Sequence, residues 1–197
     1  MKKILLLSNN DNSKELFKRL KDAGCEVIAY SDAITTDTID EYNPDLVVSY
    51  NYSHIVKSDV IDRMGDRIIN MHTSLLPWNK GSSPNIWSFI DDTPKGVTIH
   101  RLEKGLDTGK IILQKELFFD EEKESLSSTY DKLQKAIVDL FMDNLELILS
   151  GDYEEKEQTG KGTYHRMSDL KELLGNRQID YSMTIKEFKE FAAKERF

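Results

Sequence analysis

Apolar positions along the first third of the chain alternate between two rhythms, which predicts a β-α-β-α-β opening. Residues 2–7 end in four consecutive apolar side chains and read as a buried strand. Asn12 to Glu15 offers a capping arrangement for a helix carrying Leu16, Phe17 and Leu20, with its end near Gly24. CEVIAY is strand-like, a short helix-compatible stretch leads to Asn43-Pro44, and DLVVSY forms a third apolar strand. Strands that are apolar almost throughout, separated by helices, predict an α/β fold with a mostly parallel sheet and helices on both faces. Ligands are then expected at the carboxyl ends of the strands.

RIINMH reads as a fourth strand, followed by the loop SLLPWNKGSSPN and a short helix around residues 86–90. GVTIHRL and KIILQKELFF read as two more strands joined by the tight turn KGLDTG. Over residues 125–149, Leu126, Tyr130, Leu133, Ile137, Leu140, Phe141, Leu145 and Ile148 recur at helical spacing and predict one long amphipathic helix. Beyond Gly151 the chain is polar and irregular until Thr184 and Glu187, a capping box for a last helix with Phe188 and Phe191. The expected organisation is a catalytic domain over residues 1–150 and a short C-terminal extension over 151–197. Phe188, Phe191 and Phe197 either dock on that domain or form the contact of a homodimer.

Composition narrows the partners. At 197 residues, 39% hydrophobic and 31% charged, the chain suits one α/β domain plus an appendage. A formal charge of −8 disfavours a broad nucleic-acid-binding face. The single cysteine, Cys25, reads as a buried thiol at a strand start. The N-terminal apolar run stops after four residues and no stretch reaches membrane-spanning length, so a cytoplasmic protein without a membrane partner is expected.

The candidate chemistry begins with Asn70 and His72, two residues apart at the end of a strand, where an extended backbone turns both to one face. An amide donor beside an imidazole suits a developing oxyanion and proton handling near neutral pH; a turn cap with a backbone-bonded His is the bland alternative. Asp107 lies in the turn LDTG, where an aspartate usually bonds its own backbone. Because that turn joins two sheet strands, the carboxylate is also a candidate to orient His72 or to take a proton. His100 reads as a packing or backbone-bonded residue. The histidines show no zinc-ligand spacing, so no metal is expected.

In order, NMHTSLLPWNKG, GVTIH and GLDTGKIILQ resemble the signature of the folate-dependent formyltransferase family. The resemblance implies a Rossmann-like formyltransferase fold with 10-formyltetrahydrofolate as co-substrate. It implies that Asn70, His72 and Asp107 form a catalytic triad stabilising a tetrahedral intermediate. It also implies that SYNYSHIVK lines the folate pocket, with Tyr50, Asn51, Tyr52 and Leu106 as folate contacts and His54 in the same loop.

Three acceptors are compatible with such a family. Enzymes acting on glycinamide ribonucleotide usually carry a Gly-Ser-rich phosphate loop after the first strand, where this chain reads LLLSNNDNSKE. Methionyl-tRNA enzymes add a C-terminal barrel, for which the residues after Ser150 are expected to be too few. PNIWSFIDDTPKGVTIH and GTYHR are most similar to the nucleotide-sugar N-formyltransferases of polysaccharide biosynthesis. On that reading Lys80 is a partner for the diphosphate, and Trp87 and Tyr164 are further substrate contacts. A catalytically inactive Rossmann-like binding module is the remaining alternative; neither paired acids after the first strand nor Gly-x-Gly-x-x-Gly supports a receiver or a dinucleotide site.

Overall fold

A computed structural model describes residues 1–193. Phe197, one of the three aromatics considered for a dimer contact, lies outside the described residues. The elements in chain order are β1 (Lys3–Leu7), α1 (Ser13–Asp22), β2 (Glu26–Tyr30), α2 (Thr36–Tyr42), β3 (Leu46–Tyr50), α3 (Ser58–Met64) and β4 (Ile68–His72). They continue with β5 (Lys80–Gly81), α4 (Pro84–Ile90), β6 (Lys95–Arg101), β7 (Ile111–Leu117), α5 (Leu126–Asp143), α6 (Leu145–Ser150), β8 (Tyr164–His165), α7 (Met167–Leu174) and α8 (Ile185–Ala193).

Six strands form one sheet in the order β2-β1-β3-β4-β6-β7. The first four are parallel, β6 runs against β4, and β7 runs against β6, so β6 alone is reversed. The fold is Rossmann-like. Alternation along β1 shows how helices come to cover both faces. Ile4 and Leu6 join a core completed by α1, α5 and α6, while Leu5 and Leu7 face the opposite core with Ile39 of α2 and Val60 of α3.

Several local expectations are corrected. Asn12 does not cap α1; its amide donates instead to the Tyr130 hydroxyl at 3.1 Å. The long helix breaks at Asn144, whose side-chain amide donates to the Leu140 carbonyl at 2.8 Å and so ends the ladder locally. The stretch after Gly151 is more ordered than its polarity suggests, because β8 pairs with β5 and α7 lies beyond it. The capping box of α8 forms as expected, with Glu187 accepting from the Thr184 N–H at 2.8 Å and Thr184 Oγ1 accepting from the Glu187 N–H at 3.3 Å. Phe188 is fully buried in a third cluster with Ile86, Phe89, Leu126, Ile185 and Ala192, which docks α8 on α4 and the start of α5.

Candidate active site

The site follows from the period of two in β4 and β6. Ile69, Met71, Val97 and Ile99 enter the core beneath α5, so Asn70, His72, Thr98 and His100 share the other face. Chain segments cover that face: Thr98 Oγ1 donates to the Ser74 carbonyl and accepts from the Leu76 N–H. Arg101 pairs with Ile69 in the antiparallel register. The turn after β6 therefore leaves the sheet near the start of β4 and folds back across its face to deliver Asp107. Asp107 has φ +53°, a left-handed conformation that aspartate tolerates better than most residues. Gly109 closes the turn against the Arg101 carbonyl, where an added Cβ would lie 1.9 Å from the oxygen.

Asn70 and His100 are direct partners across the antiparallel pair. Asn70 Nδ2 lies 3.1 Å from His100 Nε2 and donates to Asp107 Oδ1 at 3.3 Å. His100 Nδ1 is 2.7 Å from the Arg101 carbonyl, which only accepts, so Nδ1 carries the hydrogen and Nε2 receives Asn70. By the same reasoning His72 Nε2 donates to the Asn79 carbonyl at 3.0 Å. His72 Nδ1 then faces Asp107 Oδ2 across 3.7 Å, too far for a hydrogen bond. That carboxylate oxygen accepts from the Gly81 N–H at 2.8 Å.

Burial pushes the His72 imidazole below its ordinary pKa, with the charge of Asp107 opposing, so the ring is neutral near pH 7. Burial works against charge on Asp107 as well, but His72, His100 and the Gly81 amide outweigh it and hold the carboxyl well below the usual carboxylate range. A neutral imidazole thus stands 3.7 Å from an ionised carboxylate.

A cleft of about 1040 Å³ opens on this group. Of the residues singled out in the sequence, Asn70, His72, Asp107, Asn51, Tyr52, Leu106 and Tyr164 line it, as does His54. The Tyr52 hydroxyl is fixed between the Ile34 N–H and the Asp32 carbonyl, and its ring meets His54 edge to face at 5.3 Å. Leu106 and Tyr164 are half exposed, at 52% and 53%.

Three expected contacts do not reach the cleft. Tyr50 is fully buried on the opposite sheet face, where its hydroxyl donates to Gln134 of α5 at 2.6 Å. Asn51, just past the strand end at φ +51°, donates to the same Gln134 oxygen at 2.9 Å and yet borders the cleft. Trp87 is buried and stacked on His165 with ring centroids 3.8 Å apart, so it is a packing anchor. Lys80 belongs to β5, where it pairs with Tyr164, and is not among the residues lining the cleft. His100 was missed as a site residue. Thr98 and His100, interleaved with the apolar Val97 and Ile99, mark a polar strand face, but only the register with β4 sets that face beside Asn70 and His72.

The family model described as formyl transferase matches residues 3–145, most of the chain and all four polar site residues. The chain belongs to this family. A formyltransferase structure, PseJ from Anoxybacillus kamchatkensis in complex with UDP-4,6-dideoxy-4-formamido-L-AltNAc and tetrahydrofolate, superposes with a TM-score of 0.85 and 38% identity. That match covers 96% of this chain and 99% of the other. The methionyl-tRNA formyltransferase of Finegoldia magna is 35% identical over 62% of this chain and 41% of its own length. The dTDP-4-amino-4,6-dideoxyglucose formyltransferase of Mycobacterium bovis is 33% identical over 66% of this chain and 54% of its own length. This member of the family therefore spans about two fifths to one half of the curated relatives it matches. Among its described residues no cluster of His, Cys, Asp and Glu is arranged to hold a metal ion, and no helix is long and apolar enough to cross a membrane.

Proposed function

We propose that this chain transfers the formyl group of 10-formyltetrahydrofolate to the amino group of a nucleotide-linked amino-deoxy sugar. The observation that carries the reading is the end-to-end likeness to PseJ, whose complex holds a formamido sugar nucleotide and tetrahydrofolate. The cleft suits a folate: Ile55 and Leu106 offer exposed apolar surface and the Tyr52–His54 pair offers aromatic surface, all continuous with the polar group around Asp107.

Bound 10-formyltetrahydrofolate supplies an activated formyl carbonyl. The acceptor amine reaches it uncharged, and attack builds negative charge on the carbonyl oxygen and positive charge on nitrogen. His72 Nδ1 is the proton acceptor the resting geometry leaves free, because Nε2 is committed to Asn79. Once protonated, Nδ1 faces the ionised Asp107 at 3.7 Å, which stabilises the imidazolium until the tetrahedral species collapses, the bond from the formyl carbon to N10 breaks, and the proton passes to N10 of the departing tetrahydrofolate. Asn70 supplies the oxyanion donor: one N–H stays on His100, and the longer contact to Asp107 is the one released to the oxygen. Loss of one such donor costs about 2.7–4 kcal/mol of barrier. Asn70→Ala should therefore fold normally and lose about 10²–10³ in kcat.

A transfer assay with 10-formyltetrahydrofolate, read by mass spectrometry, distinguishes the acceptors. Nucleotide-linked amino sugars should be formylated, whereas methionyl-tRNA and glycinamide ribonucleotide should not. Turnover on either of those two with a silent sugar panel would reverse the assignment.

A further inference from the structure

The segment over residues 156–165 lies beyond the family match and bonds to the backbone that carries Asp107 and to Asn79, the partner of His72. We propose that it is a strap that sets the geometry of His72 and Asp107, with Gln158 and Thr163 as positioning residues. The inference rests on the catalytic reading of those two side chains.

Both ends of the strap are tied to the domain. At its start Lys156 and Ile111 exchange backbone hydrogen bonds of 2.8 and 2.9 Å on the outer strand β7. At its end β8 pairs with β5, and His165 is stacked on Trp87 with Nε2 2.7 Å from Asp91 Oδ2. A segment fixed at both ends transmits position in a way that a frayed tail cannot.

Between the anchors the strap reaches both residues. Gln158 Nε2 donates to the carbonyls of Asp107 and Gly109, each at 2.8 Å, and so spans the left-handed turn that presents the carboxylate. Among the described residues its Oε1 is buried without a partner, so the two carbonyls set the direction of the amide. Thr163 Oγ1 accepts from the Asn79 N–H at 2.8 Å and donates to Asn79 Oδ1 at 3.2 Å. Asn79 is fully buried at φ +54°, and its carbonyl is the group that holds the His72 ring by Nε2. Gly81, whose N–H binds Asp107 Oδ2, is held at φ +87° against the strap, where a Cβ would meet the His165 carbonyl at 2.3 Å.

One segment thus fixes the backbone of Asp107 through Gln158, its carboxylate through Gly81, and His72 through Asn79. Displacements near 1 Å in such a group are enough to cost about 10²-fold in rate.

Full-length Thr163→Val, Thr163→Ser and Gln158→Leu test this with two readouts. The first is the imidazole nitrogen NMR spectrum of His72 without substrate, and the second is kcat and KM for formyl transfer. Thr163→Val should replace the single Nε2–H signature of His72 with a mixture and lower kcat by about 10- to 100-fold at unchanged KM. Thr163→Ser keeps the hydroxyl and should restore both. Folded Gln158→Leu should lose kcat by a similar factor.

Folded Thr163→Val with the parental tautomer and parental kcat would overturn the strap. Should that variant fail to fold, parental kcat in folded Gln158→Leu would overturn it equally. A chain that formylates no acceptor, yet shows the tautomer change in Thr163→Val, would refute the proposed reaction and leave the positioning of His72 standing.

Discussion

His72 and Asp107 are opposite halves of one electrostatic arrangement. The folded pKa of His72 is lowered by burial, so the ring stays neutral to a pH below the ordinary histidine value of about 6.5. Because Asp107 partly offsets that burial, Asp107→Asn should move the His72 titration further down, as followed by NMR. An upward move would contradict the assigned charges. For stability the signs agree. As pH falls below about 6.5 the unfolded chain protonates His72 before the folded one does, and below about 4 it protonates Asp107 first. Both effects favour unfolding, so urea midpoints should fall with pH across this range and fall less in His72→Ala. Asn70 and His72 were legible because a polar pair two apart on an apolar strand is unusual. His100 was not, since a lone histidine in GVTIHR has an ordinary packing explanation until the antiparallel register sets it opposite Asn70.

Elements were legible where local chemistry and tertiary packing agree. Strands β1 and β3 are short, largely apolar runs with helices on both faces, and the long helical period of α5 is unmistakable up to Asp143. Its break at Asn144 was hidden because the apolar period continues through Leu145 and Ile148, and one side chain bonding back to Leu140 decides the ladder. The start of α5 carries a Ser125–Ser128 capping box with 3.1 and 3.0 Å bonds. Ser125→Ala should lower stability by about 1 kcal/mol in urea melts. The pairing of β8 with β5 was not legible at all, because two-residue strands have no period and are defined only by their partners.

At the scale of the whole molecule, the sheet supplies two faces with different uses. Helices cover both sides of β1 and β3, whereas the polar face of β4 and β6 is closed by loops and by the strap, and that is where chemistry gathers. The region after Gly151 is bound into this arrangement by β8 and by α8. Phe188→Ala, which empties the fully buried centre of the third cluster, should cost about 3–5 kcal/mol in the same melts. A loss near zero would mean that α8 is not docked. The fold class and the site strands were readable from alternation alone, while the closure of the site depends on contacts between residues as far apart as Asn79 and Thr163. The central claim is that His72 and Asp107 act as one unit on a formyl carbon. It is tested most directly by kcat for formyl transfer in His72→Ala, Asp107→Ala and the double variant, each checked for native folding. Each single variant should lose about 10³-fold or more, and the double variant should be no slower than the worse single one. Near-parental turnover in folded Asp107→Ala, or losses that multiply in the double variant, would contradict the account.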